Sequence, residues 1–475
     1  MLGLKNTLWN AASGMNVSQA GLSTVGHNLA NADTEGYSRQ KVHIANRGPV
    51  RIIAGSQEIS QAGQGSAVEN IHRAHSTFLE RQLLRDRMER GFFQEQSEGL
   101  KLFERLYDDQ ATSTLGPSID EFFSAVGDLS QEPHRFGNRE MFVATAESVA
   151  RAFNSYATDA HRVREDADRT IEARIARINE LADIITATNA RIGTIESMGR
   201  SANDFRDQRD QATKEIAELI DVRIHIHKDG GAQVDLANGF TLVQGETRAT
   251  LSMLPDPANS GLGAIQHTSL SGVTTDITNA IQTGSIGGLL SLRDRTVPQH
   301  TAQMDQLAFT FVEQVNAIHR AGFGLDGLDG RNLFDPIAGV QGAAAAVNVE
   351  AGIVADPNTV AAAVDPLGLP GDNRNALAMI ELQMTSHAAL SGVTLNHFYS
   401  EQVRAVGADV SRTEHLADFH QARFEQSDSL RESIEGVSID DEMVDLNRFQ
   451  KHFEASARVM DTVNRMMDEI MQLVR

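Results

Sequence analysis

The amino-acid sequence predicts an elongated, mainly α-helical protein whose two ends come together. Three observations support this fold class. An apolar stripe with helical spacing runs along each end of the 475-residue chain, a much longer helical pattern follows residue 138, and the apolar period changes from helical to alternating after Asp221. We therefore expect a terminal helix pair and a middle domain that is built on one long helix and contains a small β meander.

The N-terminal helix is predicted from an apolar stripe at three- and four-residue steps. The stripe consists of Leu4, Leu8, Ala12, Met15, Leu22, Val25 and Leu29. Gln19 is the one polar residue that interrupts it. The helix should end after Asn31, because Asp33 and Gly36 favour a turn over continued helical hydrogen bonding.

A second apolar stripe runs to the end of the chain. It consists of Ile439, Met443, Leu446, Phe453, Ala457, Met460, Val463, Met467, Ile470 and Val474. Ser438 can cap this helix with its hydroxyl group, and Asp441 stands where a capping box places an acid. Asp440 and Glu442 add negative charge beside the positive end of the helix dipole. The sequence therefore predicts a helix that begins directly after Ser438.

Neither terminal helix can bury its stripe alone, because an isolated amphipathic helix is marginal in water. We expect the two helices to pair as a coiled coil and to pack against further copies of the chain, so both stripes form the predicted assembly interface. Residues 1–33 and 436–475 make up this terminal-helix domain. A helix pair that only caps the core of an ordinary domain is an alternative that the periodicity leaves open.

The longest helical pattern lies between residues 138 and 196. Apolar residues recur every three or four positions from Phe142 to Ala167, and isoleucines continue the pattern from Ile171 to Ile195. No proline interrupts it, so a helix over most of this stretch could reach about 85 Å at 1.5 Å per residue. This rod is the centre of the predicted middle domain, residues 34–324 and 372–435.

After Asp221 the apolar residues alternate with polar ones, and glycines mark turns between short segments. This pattern predicts a small β meander over residues 221–275. Helical spacing returns at Ile286. Residues 325–371 are richer in glycine, alanine, aspartate and proline, which predicts a loop-like excursion at the surface.

Composition excludes several classes of function. The net charge of −22 opposes binding to nucleic acid, because such binding depends on lysine and arginine. No apolar run approaches the roughly eighteen residues that span a bilayer, so we expect no membrane insertion. The absence of cysteine excludes disulfides, thiolate nucleophiles and cysteine-bound zinc. Residues 1–15 lack the continuous apolar stretch of a cleavable signal peptide, so we expect none.

No arrangement of residues predicts catalysis, a cofactor or a bound metal. The segment Gly322–Gly327 matches the dinucleotide pattern G-x-G-x-x-G, but it follows a helical segment and runs into another turn. The nearby acids Asp326 and Asp329 lack the spacing of a calcium-binding loop. His225 and His227 could share one face of a strand, but no third metal ligand can be identified. We therefore expect no enzyme activity.

The N-terminal region carries an ordered series of short motifs. They are Ser13-Gly14-Met15, Gly21-Leu22, Asn28-Leu29-Ala30-Asn31 and Thr34-Glu35-Gly36-Tyr37. This series resembles the signature of flagellar rod, hook and hook-associated proteins. The continuation Tyr37-Ser38-Arg39-Gln40 is similar to the hook-associated members, since rod and hook relatives usually continue differently. Relatives often have proline where Glu35 stands, which is a conservative departure for a turn.

Further blocks resemble the same family in the middle and at the end of the chain. They are Asp204–Gln211, Gly287-Gly288-Leu289-Leu290 with Arg293-Asp294, Asn316-Ala317-Ile318-His319, Gly436–Met443 and Asn447-Arg448-Phe449-Gln450. The resemblance therefore covers most of the chain. Many relatives carry a sizeable β-rich outer domain after the position of Gly322, whereas this chain has only residues 325–371 there. The outer β domain thus looks reduced to a loop.

The resemblance implies an axial subunit of the bacterial flagellum, located outside the cell at the hook–filament junction. Paired terminal helices would line the inner tube of a homo-oligomeric ring. Relatives connect the hook protein to the next junction protein, and they leave the cell unfolded through the type III export channel, often with a chaperone on the C-terminal helix. Another axial subunit, from the hook or the distal rod, and a non-flagellar coiled-coil tether are the alternatives.

Overall fold

The computed structural model describes residues 2–34, 36–48, 50–54, 57–107, 115–227 and 230–473, and it is mainly α-helical, as predicted. Its helices are α1 (Leu2–Ala30), α2 (Thr77–Glu104), α3 (Leu115–Gln131), α4 (Phe136–Ser197), α5 (Asn203–Leu219), α6 (Gly284–Ser291), α7 (Val297–Ala321), α8 (Ala343–Ala346), α9 (Ala351–Ala355), α10 (Arg374–Glu381), α11 (Leu395–Glu435) and α12 (Ile439–Leu473). Its strands are β1 (Gln40–Asn46), β2 (Val50–Ala54), β3 (Gln57–Ala62), β4 (Ser66–Arg73), β5 (Val222–Ile226), β6 (Ala232–Leu236), β7 (Thr241–Gln244), β8 (Thr247–Arg248), β9 (Thr250–Pro255), β10 (Gly263–Thr268) and β11 (Thr274–Asp276). No helix in this part of the chain has an apolar stretch long enough to cross a membrane.

The two ends of the chain form one antiparallel helix pair, α1 with α12. Gly21 lies against Phe449 near the middle of the pair, while Leu4 and Ile470 line one groove at its free end. These contacts join residues more than 400 positions apart in the sequence. The predicted pairing of the two termini is therefore confirmed.

Helix boundaries follow the local sequence signals. α1 ends next to Asn31, where the predicted turn begins. The backbone N–H of Asp441 donates a hydrogen bond of 3.4 Å to the Ser438 hydroxyl, so this serine caps α12. α4 has 62 residues and runs from Phe136 to Ser197, close to the predicted range of 138–196. These ends are predictable because each depends on neighbouring residues only.

The core of the middle domain lies where α4 packs against α3 and α7. Five fully buried phenylalanines form a connected aromatic cluster there, and neighbouring ring centroids are 5.3 to 6.3 Å apart. They are Phe122, Phe142, Phe153, Phe311 and Phe334. The last of them belongs to the loop-rich segment, which therefore contributes to the core.

Residues 325–371 form isolated bridges and short helices in place of the strands of an outer domain. They differ from the predicted surface excursion, because the segment lies along the helical body. Phe334 is fully buried, and the guanidinium of Arg139 donates hydrogen bonds of 3.2 and 2.8 Å to the carbonyls of Asn358 and Val360. The apolar residues of the segment explain the difference, since burying them stabilises the fold.

The β meander lies at its predicted place and consists of two antiparallel sheets, with strand orders β5-β6-β7-β8 and β11-β10-β9. Asn189 of α4 anchors the first sheet. Its side-chain amide donates hydrogen bonds of 2.8 Å to the carbonyls of Ala232 and Gly245, and its oxygen accepts one from the Ala232 N–H at 2.9 Å. The meander is therefore fixed to the long helix by a buried polar side chain.

The strands between residues 40 and 73 are not predicted by the sequence pattern. β1 pairs with β4 and β2 with β3, all antiparallel, and we call this segment the hairpin arm. The arm packs along α1, where the N–H of Ser66 donates a hydrogen bond of 3.3 Å to the Ser13 hydroxyl. The predicted domain boundary at residue 34 assigns this segment to the middle domain, and the arm contacts both units, because Arg73 at the end of β4 also pairs with Asp207 of α5.

Candidate assembly interface

α1 contacts α12 at two glycines, Gly14 and Gly21. Both belong to a series of mostly small, little-exposed residues at steps of three and four, the spacing of a heptad repeat. The series consists of Ala11, Gly14, Ser18, Gly21, Val25 and Asn28. A Cβ atom on Gly21 would lie 2.6 Å from the Phe449 ring, and one on Gly14 would lie 2.8 Å from the Ser456 hydroxyl. The two helices therefore approach closely at both glycines, and at Gly21 a larger side chain would collide with the aromatic ring.

α12 presents mostly larger side chains to α1 at the same spacing. Its least exposed residues after Ser438 include Glu442, Leu446, Phe449, Phe453, Ser456, Met460, Val463, Met467 and Ile470. The steps between them alternate between four and three residues, so they form one stripe. We call this stripe, together with the small residues of α1, the seam. Small residues on one helix and large residues on the other thus form a tightly packed contact.

The predicted interface residues divide into three groups. Those in the seam or at its free end are Leu4, Val25, Leu446, Phe453, Met460, Val463, Met467 and Ile470. Those half-buried beside the seam are Leu8, Ala12, Met15, Leu22 and Ala457. Leu29, Ile439 and Met443 are exposed, and Val474 lies outside the described residues. Most of the predicted residues of α12 therefore lie on its less exposed face, and most of those of α1 are half-buried.

The helix pair also keeps large apolar residues on its outer surface. Trp9, the only tryptophan of the chain, is 69% exposed, and Val444 is 68% exposed. We call the following residues the outer apolar surface: Trp9, Ile439, Met443, Val444, Val459, Met466 and Met471. So many exposed apolar side chains on one helix pair are typical of an interaction surface.

The motif residues after α1 form the joint between the helix pair and the middle domain. The buried amide of Asn28 donates a hydrogen bond of 2.9 Å to the Gln40 carbonyl. Its oxygen accepts one of 3.0 Å from the Gln40 N–H and one of 2.8 Å from the Tyr37 hydroxyl. Asparagine suits this position because its side chain both donates and accepts. One side chain thus fixes the start of β1 against the end of α1.

Arg39 and Gln40 connect this joint to distant parts of the chain. The backbone N–H of Arg39 donates a hydrogen bond of 2.8 Å to the carbonyl of Glu435, the last residue of α11. The Arg39 carbonyl accepts one of 2.8 Å from the N–H of Ala74. The side-chain amide of Gln40 donates one of 2.9 Å to Asp204, at the start of α5. The N-terminal motif therefore contacts Asp204–Gln211, the central block that resembles the same family.

The same central block forms ion pairs with the hairpin arm. Arg73 at the end of β4 contacts Asp207 at 2.6 Å and Asp210 at 2.8 Å. Burial raises the pKa of Asp207, although Arg73 opposes this effect. Burial alone would also raise the pKa of Asp210. Arg73 and Arg209 outweigh burial, so the pKa of Asp210 is lowered. Burial, reinforced by the nearby carboxylates, also raises the pKa of Tyr37, so its hydroxyl stays protonated.

The turn after α1 borders a cavity of about 520 Å³ between α1, α4 and α5. Asn31, Thr34 and Gly36 line one side of it. Gly36 has a φ of +79°, and a Cβ atom there would lie 2.9 Å from the Gln211 side chain. Glycine is therefore required by both the backbone conformation and the available space.

Within the described residues, one group of side chains has the spacing of a metal site: His75, Glu80 and Asp210, with ligand atoms within 4.8 Å of one another. His75 pairs with Glu80 at 3.0 Å. The Asp210 oxygens contact Arg73 at 2.8 Å and Arg209 at 3.1 Å. Two guanidinium groups beside this carboxylate oppose a further cation. We assign these residues to the ion-pair network of the joint.

The other candidate residues have structural roles. Gly322–Gly327 follows α7 and forms a turn in which Asp326 pairs with Arg331. His225 and His227 are exposed at the end of β5, and His227 contacts Gln233 at 3.2 Å. None of these contacts brings together a nucleophile, a base or a set of metal ligands.

Three family models match successive parts of the chain. "Flagella basal body rod protein" matches residues 8–37, and "Flagellar basal body rod FlgEFG protein C-terminal" matches residues 432–473. "Flagellar hook-associated protein FlgK helical domain" matches residues 100–334. The first two therefore cover most of the helix pair together with the joint, and the third covers α4 and the β meander.

The chain is also similar over nearly its full length to proteins named Flagellar hook-associated protein 1. The protein from Bacillus subtilis is 23% identical, and the match covers 98% of this chain and 97% of the relative. The protein from Salmonella typhimurium is 24% identical, with coverage of 98% and 99%. That second alignment extends over 555 positions against 475 residues here, so the relative contains segments that this chain lacks.

The fold is similar to a solved structure of the flagellar hook junction protein FlgK from Burkholderia pseudomallei. The TM-score is 0.67 at 15% sequence identity, and the match covers 75% of this chain and 100% of that one. Paired ends that match rod families, joined to a helical body, define the class of axial structural proteins of the bacterial flagellum. The protein is a structural component and not an enzyme. Within that class, the helical-domain model and the two relatives matched over nearly their full length all name a flagellar hook-associated protein, and this is the protein that the chain resembles.

Proposed function

We propose that copies of this chain form a ring at the hook–filament junction, outside the cell, and connect the hook to the filament through their helix pairs. The observation that carries this proposal is the outer apolar surface. The seam is already filled by residues of the same chain, so the outer residues are free to contact neighbouring copies. Covering them contributes about 25 cal/mol per Å² of apolar surface.

The charge of α1 supports close packing between copies. The chain has a net charge of −22, which opposes the association of identical subunits. Among Asp, Glu, Lys and Arg, however, α1 contains Lys5 alone. The helix can therefore approach the same helix of a neighbouring copy with little repulsion.

The proposed neighbours of the ring are the hook protein on one side and the next hook–filament junction protein on the other. The motif residues 37–40, which resemble the hook-associated members, support this order. A flagellar export chaperone on α12 is proposed because apolar residues such as Val444 and Met466 are exposed to water until neighbouring copies bury them. Export through the flagellar type III channel is proposed from the same resemblance.

A hook or distal-rod subunit would share the helix pair, so the two terminal helices do not separate these roles. The middle of the chain favours the junction, because residues 100–334 match the helical domain of the hook-associated protein.

The location can be tested by immunogold labelling of an epitope-tagged chain. We expect gold particles only where the hook meets the filament. Labelling along the whole hook would contradict the proposal and favour a hook subunit.

The role of the helix pair can be tested by deletion of residues 438–475. The truncated chain should keep a soluble middle domain but fail to join the flagellum, because α1 then lacks its partner. Circular dichroism of the purified fragment provides the folding control. Normal filaments on cells that carry only this truncation would refute the proposal.

A further inference from the structure

We infer that Arg39 is a positioning residue, which fixes the angle between the helix pair and the middle domain within a single chain. Two covalent connections cross the joint, one at residues 31–39 and the other at residues 436–438. Neither connection is helical in its described residues, 31–34, 36–39 and 436–438, so covalent structure alone does not fix the angle. Non-covalent contacts across both connections have to do so.

The backbone of Arg39 holds the end of α11 on one side of the second connection. Its N–H donates to the Glu435 carbonyl, as described above. The carboxylate of Glu435, with the residue only 3% exposed, accepts a hydrogen bond of 2.6 Å from the N–H of Ser76, the cap of α2. The last turn of α11 is therefore fixed to the hairpin arm and to the first turn of α2.

The side chain of Arg39 holds the start of α12 on the other side of the same connection. Its Nε atom donates a hydrogen bond of 2.7 Å to Glu442, whose side chain is 1% exposed. Its two other nitrogens lie 3.3 Å from Asp441 and 3.5 Å from Asp445. Charge-assisted hydrogen bonds are about twice as strong as neutral ones, and the low exposure of Arg39 and Glu442 limits screening by salt.

The connection between α11 and α12 is short and bends sharply. A Cβ atom on Gly436 would lie 2.4 Å from the Glu432 carbonyl, so the chain can leave α11 in this direction only with glycine. Arg39 contacts Glu435 immediately before the bend and Glu442 soon after it. One residue thus spans the bend and opposes rotation of α12 about it.

Arg39 lies outside the seam and is not part of the outer apolar surface. Its loss should therefore leave both helices intact and change only the angle between the helix pair and the middle domain. The inference concerns one isolated chain, so it can fail or succeed independently of the proposed place in the flagellum.

Distances between spin labels test this inference directly. The natural chain has no cysteine, so Ala187→Cys on α4 and Ala455→Cys on α12 provide two unique labelling positions, both exposed. Double electron–electron resonance then measures the distribution of distances between the two labels. The variants are Arg39→Gln, Arg39→Lys and the control Arg162→Gln, whose exposed arginine pairs with Asp159 on the same helix.

We expect a narrow distribution for the labelled parent and for Arg162→Gln. Arg39→Gln should broaden and shift it at unchanged far-UV circular dichroism, and Arg39→Lys should broaden it less because the charge is kept. A narrow, unshifted distribution in Arg39→Gln, or a broad one in the parent, would overturn the inference. If Arg39→Gln lowers the helix content, Glu442→Gln is used instead, because it removes the same contact from the side of α12. An unchanged distance distribution in Glu442→Gln would overturn the inference.

Discussion

Gly21 of α1 lies directly against the aromatic ring of Phe449 of α12. Three ring atoms are within 2.7 Å of the position that a Cβ atom on Gly21 would occupy. A real Cβ atom does not fit at that distance, so the separation of the two helices depends on the missing side chain. The pair therefore packs more closely here than a seam of leucines would allow.

Replacing Gly21 with alanine should weaken the helix pair. The added methyl group forces the Phe449 ring or the helix to move, which costs about 1–3 kcal/mol for an overpacked contact. Gly26→Ala is the matched control, because nothing lies within 4 Å of its Cβ position and alanine stabilises a helix interior by about 0.5–1 kcal/mol. Hydrogen exchange of α1 should become faster in the first variant and slower in the second. Equal exchange rates in the two variants would contradict the close contact.

Replacing Asn28 with alanine should loosen the joint. The buried N–H and C=O groups of Gln40 then lose their partner, at a cost of about 1–3 kcal/mol. Asn16→Ala, at an exposed position of the same helix, should change stability by less than about 0.5 kcal/mol. The exchange rate of the Gln40 amide measures the effect. An unchanged rate in Asn28→Ala would show that water replaces the lost hydrogen bonds.

The buried His319 should make the middle domain sensitive to acid. Its Nδ1–H donates to the Arg331 carbonyl at 2.8 Å, and its Nε2 accepts from the Ala361 N–H at 3.0 Å, so only the neutral ring fits. Burial lowers the pKa of His319 to about 4 from the ordinary value of 6.5. The unfolded chain therefore binds a proton that the folded chain does not, and stability falls as the pH drops from about 6.5 towards 4, by up to about 3 kcal/mol.

Urea unfolding between pH 4 and 7 checks this dependence. His319→Gln removes the titrating ring while it keeps one donor and one acceptor, so the free energy of unfolding should depend less on pH in this range. The exposed His415→Gln variant should follow the parent protein. Parallel curves for the parent and His319→Gln would mean that other groups cause the acid sensitivity.

Two methionines of α12 separate the seam from the outer apolar surface. Met460→Asp places an unpaired charge in the seam, so it should open the helix pair at a cost of several kcal/mol and abolish motility. Met466 is 48% exposed, so Met466→Asp should leave the pair intact and impair only the contact between copies. Hydrogen exchange of the monomer and swimming assays distinguish the two effects. Normal motility of Met460→Asp would count against the seam.

The long helices could be predicted from the sequence because their signals are local and repeated. α4 shows its apolar spacing over more than fifty residues, and its observed ends differ from the prediction by one or two positions. The hairpin arm was missed because its strands are short and their alternation is weak. In β1, for example, only Val42, Ile44 and Ala45 are apolar between Gln40 and Asn46.

The close approach of α1 and α12 could not be predicted from apolar periodicity for a different reason. Apolar periodicity selects the largest side chains, such as Leu8 and Met15, whereas the two helices come closest at Gly14 and Gly21. The joint could not be predicted from any local pattern, because Arg39 and Glu442 are 403 positions apart and nothing local links them.

Because α4 is long, a small change of angle at the joint displaces the far end of this helix by a large distance. Leu181 borders the cavity beside the joint, and Phe136 at the far end of the helix is 45 residues away. That separation is roughly 70 Å at 1.5 Å per residue, so a tilt of about 5° would displace the far end by about 6 Å. Such a displacement exceeds the roughly 4 Å of an atomic contact between neighbours. Because the long helix enlarges a small change of angle in this way, accurate spacing of subunits in the proposed ring would require a rigid joint.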